Sequence, residues 1–120
     1  MKFTIKGRLP SLNDIIESSR GNKHAANNNK KKAQQYIQTF IPNGRMKCPC
    51  NVHVTFYEPD NRRDIDNIVS AGCKLIFDAL VWHGTIPNDN RRWIKQMHPL
   101  VFTDRDNPRI EVELRPARLK

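Results

Sequence analysis

The sequence predicts an α+β fold: a single mixed sheet of about four strands carrying two main helices on one face. Three observations lead there. At 120 residues the chain suffices for one compact domain and is too short for two ordinary ones, so residues 1–120 are read as a single domain. Hydrophobic residues make up 38% and charged residues 28%, which supports a modest core and argues against wholesale disorder. Alternating and helix-spaced apolar segments follow one another as strand, helix, strand, helix, strand, strand, with no internal repeat and no linker.

Met1 to Leu9 opens as a half-buried strand, with Phe3 and Ile5 on one face and Lys2, Thr4 and Lys6 on the other. Pro10, Ser11 and Asn13 break it, and a short helical turn is expected around Asp14 to Ser19. Arg20 to Lys32 is rich in Asn, Lys and Gly. It reads as a solvated loop feeding a helix, or as a flexible basic arm that grips phosphates and orders on binding. From about Lys30 to Ile41, residues Ala33, Tyr36, Ile37, Phe40 and Ile41 recur at helical spacing, which assigns Tyr36 and Phe40 to the core; Pro42, Asn43 and Gly44 stop this helix. Asn51 to Tyr57 alternates again, with Val52, Val54 and Phe56 on one face and a lone His53 on the other, a surface or partly packed residue rather than a ligand.

The stretch from Arg62 to Asp89, RRDIDNIVSAGCKLIFDALVWHGTIPND, organises the rest. Ile65, Ile68, Val69, Gly72, Leu75, Ile76, Ala79 and Leu80 keep the three-four rhythm of a buried helical face. Gly72 weakens a helix by about 1 kcal/mol relative to alanine, a sacrifice that close packing against the sheet explains. Gly84 caps the helix C-terminus, and the Trp82 indole beside it is expected to be buried. Trp93 to Phe102 is extended, with Pro99 marking an edge or a bulge. After a polar turn, Arg109 to Arg115 alternates with Ile110, Val112 and Leu114 inward. These last two strands are expected to pair as a hairpin, and the tail from Arg115 to Lys120 to fray.

Charge is the strongest global signal. Lys and Arg outnumber Asp and Glu by 21 to 12, a net charge of +9, which favours a polyanionic partner, most often nucleic acid. No apolar run is long enough to span a membrane. An odd cysteine count (Cys48, Cys50, Cys73) without a secretory signal fits a reduced, cytoplasmic setting, and Cys48-Pro49-Cys50 lacks zinc spacing.

Carboxylates gather where a basic chain would hold a phosphate backbone. Asp64 and Asp66 point to the same side of an extended chain but to nearly opposite sides of a helix. They can share a cation if the helix starts after them, with Asp66 or Asn67 as N-cap. Oxygen donors of this kind suit Mg²⁺ or Mn²⁺. The bland reading is that the two aspartates cap the helix and pair with Arg62 and Arg63. Asp89 stands beyond the helix and its turn, so a straight helix carries it to the far end. Lys74 and Asp78, one turn apart, form a surface ion pair worth a few tenths of a kcal/mol, or Lys74 faces the phosphate.

The run RRDIDNI, followed by Lys74, FDAL, a glycine and IPND, resembles the RusA family of Holliday-junction resolvases, small endodeoxyribonucleases often carried by phages and prophages. The likeness extends to PSLN at Pro10 to Asn13, to chain length and to element order. It implies hydrolysis of four-way DNA junctions in recombination and repair by paired nicks, and hence a homodimer. It also implies Mg²⁺, with Mn²⁺ as a substitute, on Asp64, Asp66 and Asp89. Asp89 then reaches the site because the loop folds back or a second subunit contributes. Lys74 matches the family's functional lysine, but about one extra helical turn separates it from Asp66, several ångströms at about 1.5 Å per residue. Arg62 and Arg63, Lys23, Lys30, Lys31 and Lys32, and Arg91 and Arg92 are the candidate DNA-backbone contacts. The other readings are a branched-DNA-binding protein that does not cut, and a nuclease for flaps and other branched DNA.

Overall fold

In a computed structural model, residues 1–11, 14 and 23–117 are described, with the backbone alone for 23–27. The first strand, β1, spans Lys2–Lys6 and ends where Gly7 takes a positive φ of 85°. The expected helical turn from Asp14 to Ser19 falls, apart from Asp14, outside the described residues. Helix α1 covers Lys23–Gln38. Lys23 to Lys32, expected as a loop or arm, are helical, so the helix begins well before Lys30. Lysine and alanine are good helix formers, and the four lysines and two alanines of this segment outnumber its three asparagines. The end of α1 tightens into successive i→i+3 bonds from Thr39, Phe40 and Ile41.

Strand β2 (Cys50–Glu58) alternates buried and half-buried along its whole length. Helix α2 (Ile65–His83) follows, then β3 (Ile94–Thr103) and β4 (Arg109–Pro116). The sheet order is β1-β4-β2-β3. β4 runs antiparallel to both neighbours, whereas β2 and β3 are parallel, joined by α2 as the crossover. The sheet is mixed, as expected, but β3 and β4 do not form the expected hairpin. The turn between them crosses the end of β2, where Asp104 donates its N–H to the Glu58 carbonyl at 2.7 Å. Two features separate the strands. Pro99 cannot donate to a ladder on both sides, which confines β3 to the edge. Ile110, Val112 and Leu114, each at most 2% exposed, draw β4 to the centre.

Phe3, Ile5, Val52, Val54, Phe56, Ile110, Val112 and Leu114 share one sheet face and meet Ile37, Leu75, Ile76, Ala79 and Leu80 from the helices. Gly72 is where α2 comes closest: a Cβ there would lie 2.5 Å from the Phe56 ring. Three expected core residues are not in the core, the first being Ile65, which opens α2 and is 63% exposed. Tyr36 is exposed, its hydroxyl donating to the Lys6 carbonyl at 2.5 Å, and Trp82 is 76% exposed on the outer side of α2. The strand end Arg115–Pro116 is paired, not frayed, and residues 118–120 lie outside those described. No helix among the described residues is long and apolar enough to cross a membrane.

Candidate active site

After Glu58, the segment from Pro59 to Arg63 turns the chain from β2 into α2. Asp60 accepts the Arg62 backbone N–H at 3.1 Å, which shapes the turn. Arg63 is held within the chain. Its guanidinium donates to the Leu9 carbonyl and to Asp14, both at 2.9 Å, and lies 3.9 Å from Glu58. Glu58, 4% exposed, also takes Arg8 at 2.8 Å. Ser11 and Asp14 form a reciprocal capping box, each backbone N–H donating to the other's side chain. The Ser11 N–H first, then Arg63, hold the Asp14 carboxyl below its ordinary value. This bracket of Arg8, Asp14, Glu58 and Arg63 was not anticipated from sequence. One signal was available: continuing the alternation of Val52, Val54 and Phe56 by one step puts Glu58 on the buried face.

Asp64 is the N-cap of α2, with extended dihedrals (φ −71°, ψ 147°), and its carbonyl accepts the first helical bond from Ile68 at 3.2 Å. Asp66 lies in the first turn. The helix thus begins before Asp66, not after it, and the expected same-side presentation from an extended strand is corrected. An acidic residue is favoured in this turn by the partial positive charge of the helix start. The capping reading does not describe Asp64 either. Its side chain makes no capping bond, Arg62 turns toward Asp60, and Arg63 is engaged elsewhere. Asp66 accepts the neighbouring Asn67 N–H at 3.0 Å and, among the described residues, nothing else. Both carboxylates are solvent-facing hard oxygen donors, the chemistry that Mg²⁺ or Mn²⁺ takes.

Further along α2, Lys74 lies 3.0 Å from Asp78 and 3.5 Å from Asp89. Asp78 first, and Asp89 after it, raise the lysine pKa and keep it charged. Asp89 arrives there because the chain reverses after Gly84, which takes a positive φ of 83°. Ile86, fully buried, anchors the return, and Asn88 and Asn90 close successive side-chain-to-backbone turns. The loop therefore folds back to mid-helix. The contact is with the Lys74 side chain, whose backbone stands eight residues, about 12 Å at 1.5 Å per residue, along the helix from Asp66. Among the described residues no three His, Cys, Asp or Glu side chains gather as a metal-holding group.

The candidate backbone contacts divide. Lys30, Lys31 and Lys32, Arg91 and Arg92 are exposed, and Arg62 has 88% of its side chain in solvent. Arg63 is mostly covered, and the Lys23 side chain lies outside the described residues. Arg8, Lys30, Lys32 and Arg63 ring a cleft of about 530 Å³, floored by Leu9, Ala33 and Leu75. No protein-family model matches the chain, and no curated protein matches it.

Proposed function

We propose that the chain is a metal-dependent endodeoxyribonuclease that resolves four-way DNA junctions by paired nicks, acting as a homodimer with Mg²⁺ or Mn²⁺. One observation carries the reading: Asp64 stands at a helix N-cap beside two arginines and, among the described residues, its side chain makes neither a capping bond nor an ion pair. A carboxylate unengaged in such a place is free for a ligand. The RRDIDNI motif and its resemblance to the RusA resolvases supply the ligand class, and the net charge of +9 supplies attraction to DNA.

Asp64 and Asp66 would hold the cation, with Asp89 joining by rearrangement of its loop or from a second subunit. A bound divalent ion would activate a water and offset charge developing on phosphorus. Lys74, held protonated by Asp78 and Asp89, offers a cation to a phosphate once either carboxylate leaves it. Lys30 to Lys32, Arg91 and Arg92 would hold the backbone without reading sequence.

The Lys74–Asp89 contact itself favours a second reading, a branched-DNA-binding protein that does not cut, because it engages the third carboxylate. A labelled four-way junction, tested with and without Mg²⁺ beside linear duplex and a flap, separates these. Paired, metal-dependent nicks confined to the junction are expected. Equal cutting of the flap would make the chain a general branched-DNA nuclease. Binding without nicks under Mg²⁺ or Mn²⁺ would leave the binder.

A further inference from the structure

The sheet face opposite the helices carries two ring stacks. His53 and His98 stack with centroids 4.6 Å apart and planes 15° apart. Tyr57 and Phe102 stack at 5.8 Å and 28°, and the Arg109 guanidinium sits 3.8 Å from the Tyr57 centroid on its cation–π contact. Each stack runs from β2 to β3, and β3 is the edge strand. Among the described residues no further strand lies beyond His98 or Phe102, and both are exposed, Phe102 at 51%. Each stack thus ends on a ring with solvent beside it.

We infer that the open face along β2 and β3 is a stacking platform for single-stranded nucleic acid, with Phe102 and His98 each extending its stack by one unpaired base. The charge pattern selects this ligand. β3 has no acidic residue, and the outward-facing residues of β2 between His53 and Tyr57 have none. Of the acids nearby, Glu111 and Glu113 on β4 and Asp104 in the turn after β3 are engaged by Arg109, Arg115 and Lys2, while Asp106 is exposed beside Arg105. Exposed Lys95 near the start of β3 and Arg105 in the turn after it are available to a backbone. Spacing selects single strands over duplex. His98 and Phe102 are four residues apart, about 13 Å at 3.3 Å per residue. Bases in a duplex are about 3.4 Å apart and already cover one another's faces, so only a splayed strand can offer bases at this separation. Pro99, between the two rings, removes an edge donor and disfavours capture of another β-strand. Stacking on this face does not require that the chain cut DNA.

The test is fluorescence anisotropy with a labelled oligothymidylate and a blunt duplex, using the full chain without divalent metal. Phe102→Ala is expected to weaken oligothymidylate binding roughly tenfold and leave duplex binding unchanged, while Phe102→Trp retains affinity and its added emission is quenched by the oligomer. Phe102 is half exposed, so both variants should keep the wild-type circular dichroism. Unchanged oligothymidylate affinity in Phe102→Ala overturns the inference, as does an equal loss for strand and duplex. A dimer that Phe102→Ala dissociates, with single-strand affinity intact, would give this face to a second copy and also overturn it. Failure of the nuclease reading shows instead as absent nicking with single-strand binding preserved.

Discussion

Asp64 and Cys73 show how one side chain's surroundings set what it can do. Asp64 has no partner among the described residues, so Asp64→Asn should barely change stability. On the nuclease reading it should abolish metal-dependent nicking and leave junction binding intact or tighter, because a negative charge beside phosphates is removed. Gel-shift and cleavage assays on one preparation check this, and loss of both together would point to misfolding. Cys73 is the opposite case, 4% exposed, with its thiol pushed up by burial from 9.0 to about 11. A raised folded pKa means its contribution is fully present below pH 9.0 and is lost as pH rises through about 11. The loss is about 3 kcal/mol, at 1.36 kcal/mol per tenfold change in proton affinity. Urea unfolding of Cys73→Ala and wild type across this window should show the difference between them shift in favour of the variant as pH rises.

At the scale of elements, α2 sits on the sheet through Gly72. Gly72→Ala sets two effects against each other: about 1 kcal/mol gained in helix propensity, and an overpacking penalty of about 1–3 kcal/mol. A contact of 2.5 Å with an aromatic ring buried on all sides cannot relax by a small side-chain motion, so the penalty wins. Net destabilisation is expected in thermal or urea unfolding, and a double-mutant cycle with Phe56→Leu should recover part of it. The fold's elements were largely legible in sequence. Strands β1, β2, β3 and β4 and helix α2 fall within a few residues of their apolar alternation or rhythm. The order of β3 and β4 was not legible, because adjacency in sequence favours a hairpin and only the competition for the sheet centre decides against it. Tyr36 and Trp82 were misplaced for a related reason: helical spacing defines a face, but its margins are buried only if a neighbour covers them.

For the whole molecule, the bracket around Glu58 ties the end of β1, the Ser11–Asp14 cap and the entry to α2 into one unit. Glu58→Gln keeps the shape and removes the charge, and should destabilise by roughly 2 kcal/mol through weakened bonds from Arg8 and Arg63, measured by urea unfolding. Because Arg63 precedes Asp64, the same change should also loosen the carboxylates' placement and lower nicking more than junction binding. DNA affinity belongs to this scale too. Lys30 to Lys32 lie on a helix and fan around it, so not all three can meet one backbone. Replacing all three with alanine should reduce the slope of log affinity against log salt by about 2, at about 0.9 for each phosphate that is no longer neutralised. A slope unchanged from wild type would remove α1 from the DNA-contacting surface.

The sequence by itself determined the fold class, the inward and outward faces of β1, β2 and β4, most of the buried face of α2, the close packing at Gly72 and the basic character of the surface. Those follow from local periodicity and composition, which act over a few residues. Tertiary structure alone decided which strands pair, where the helix begins relative to Asp64 and Asp66, and that Asp89 returns to Lys74 at mid-helix. It also decided that Arg63 ties down Asp14 and Leu9. These depend on contacts between residues far apart in the chain, whose energies local pattern does not carry.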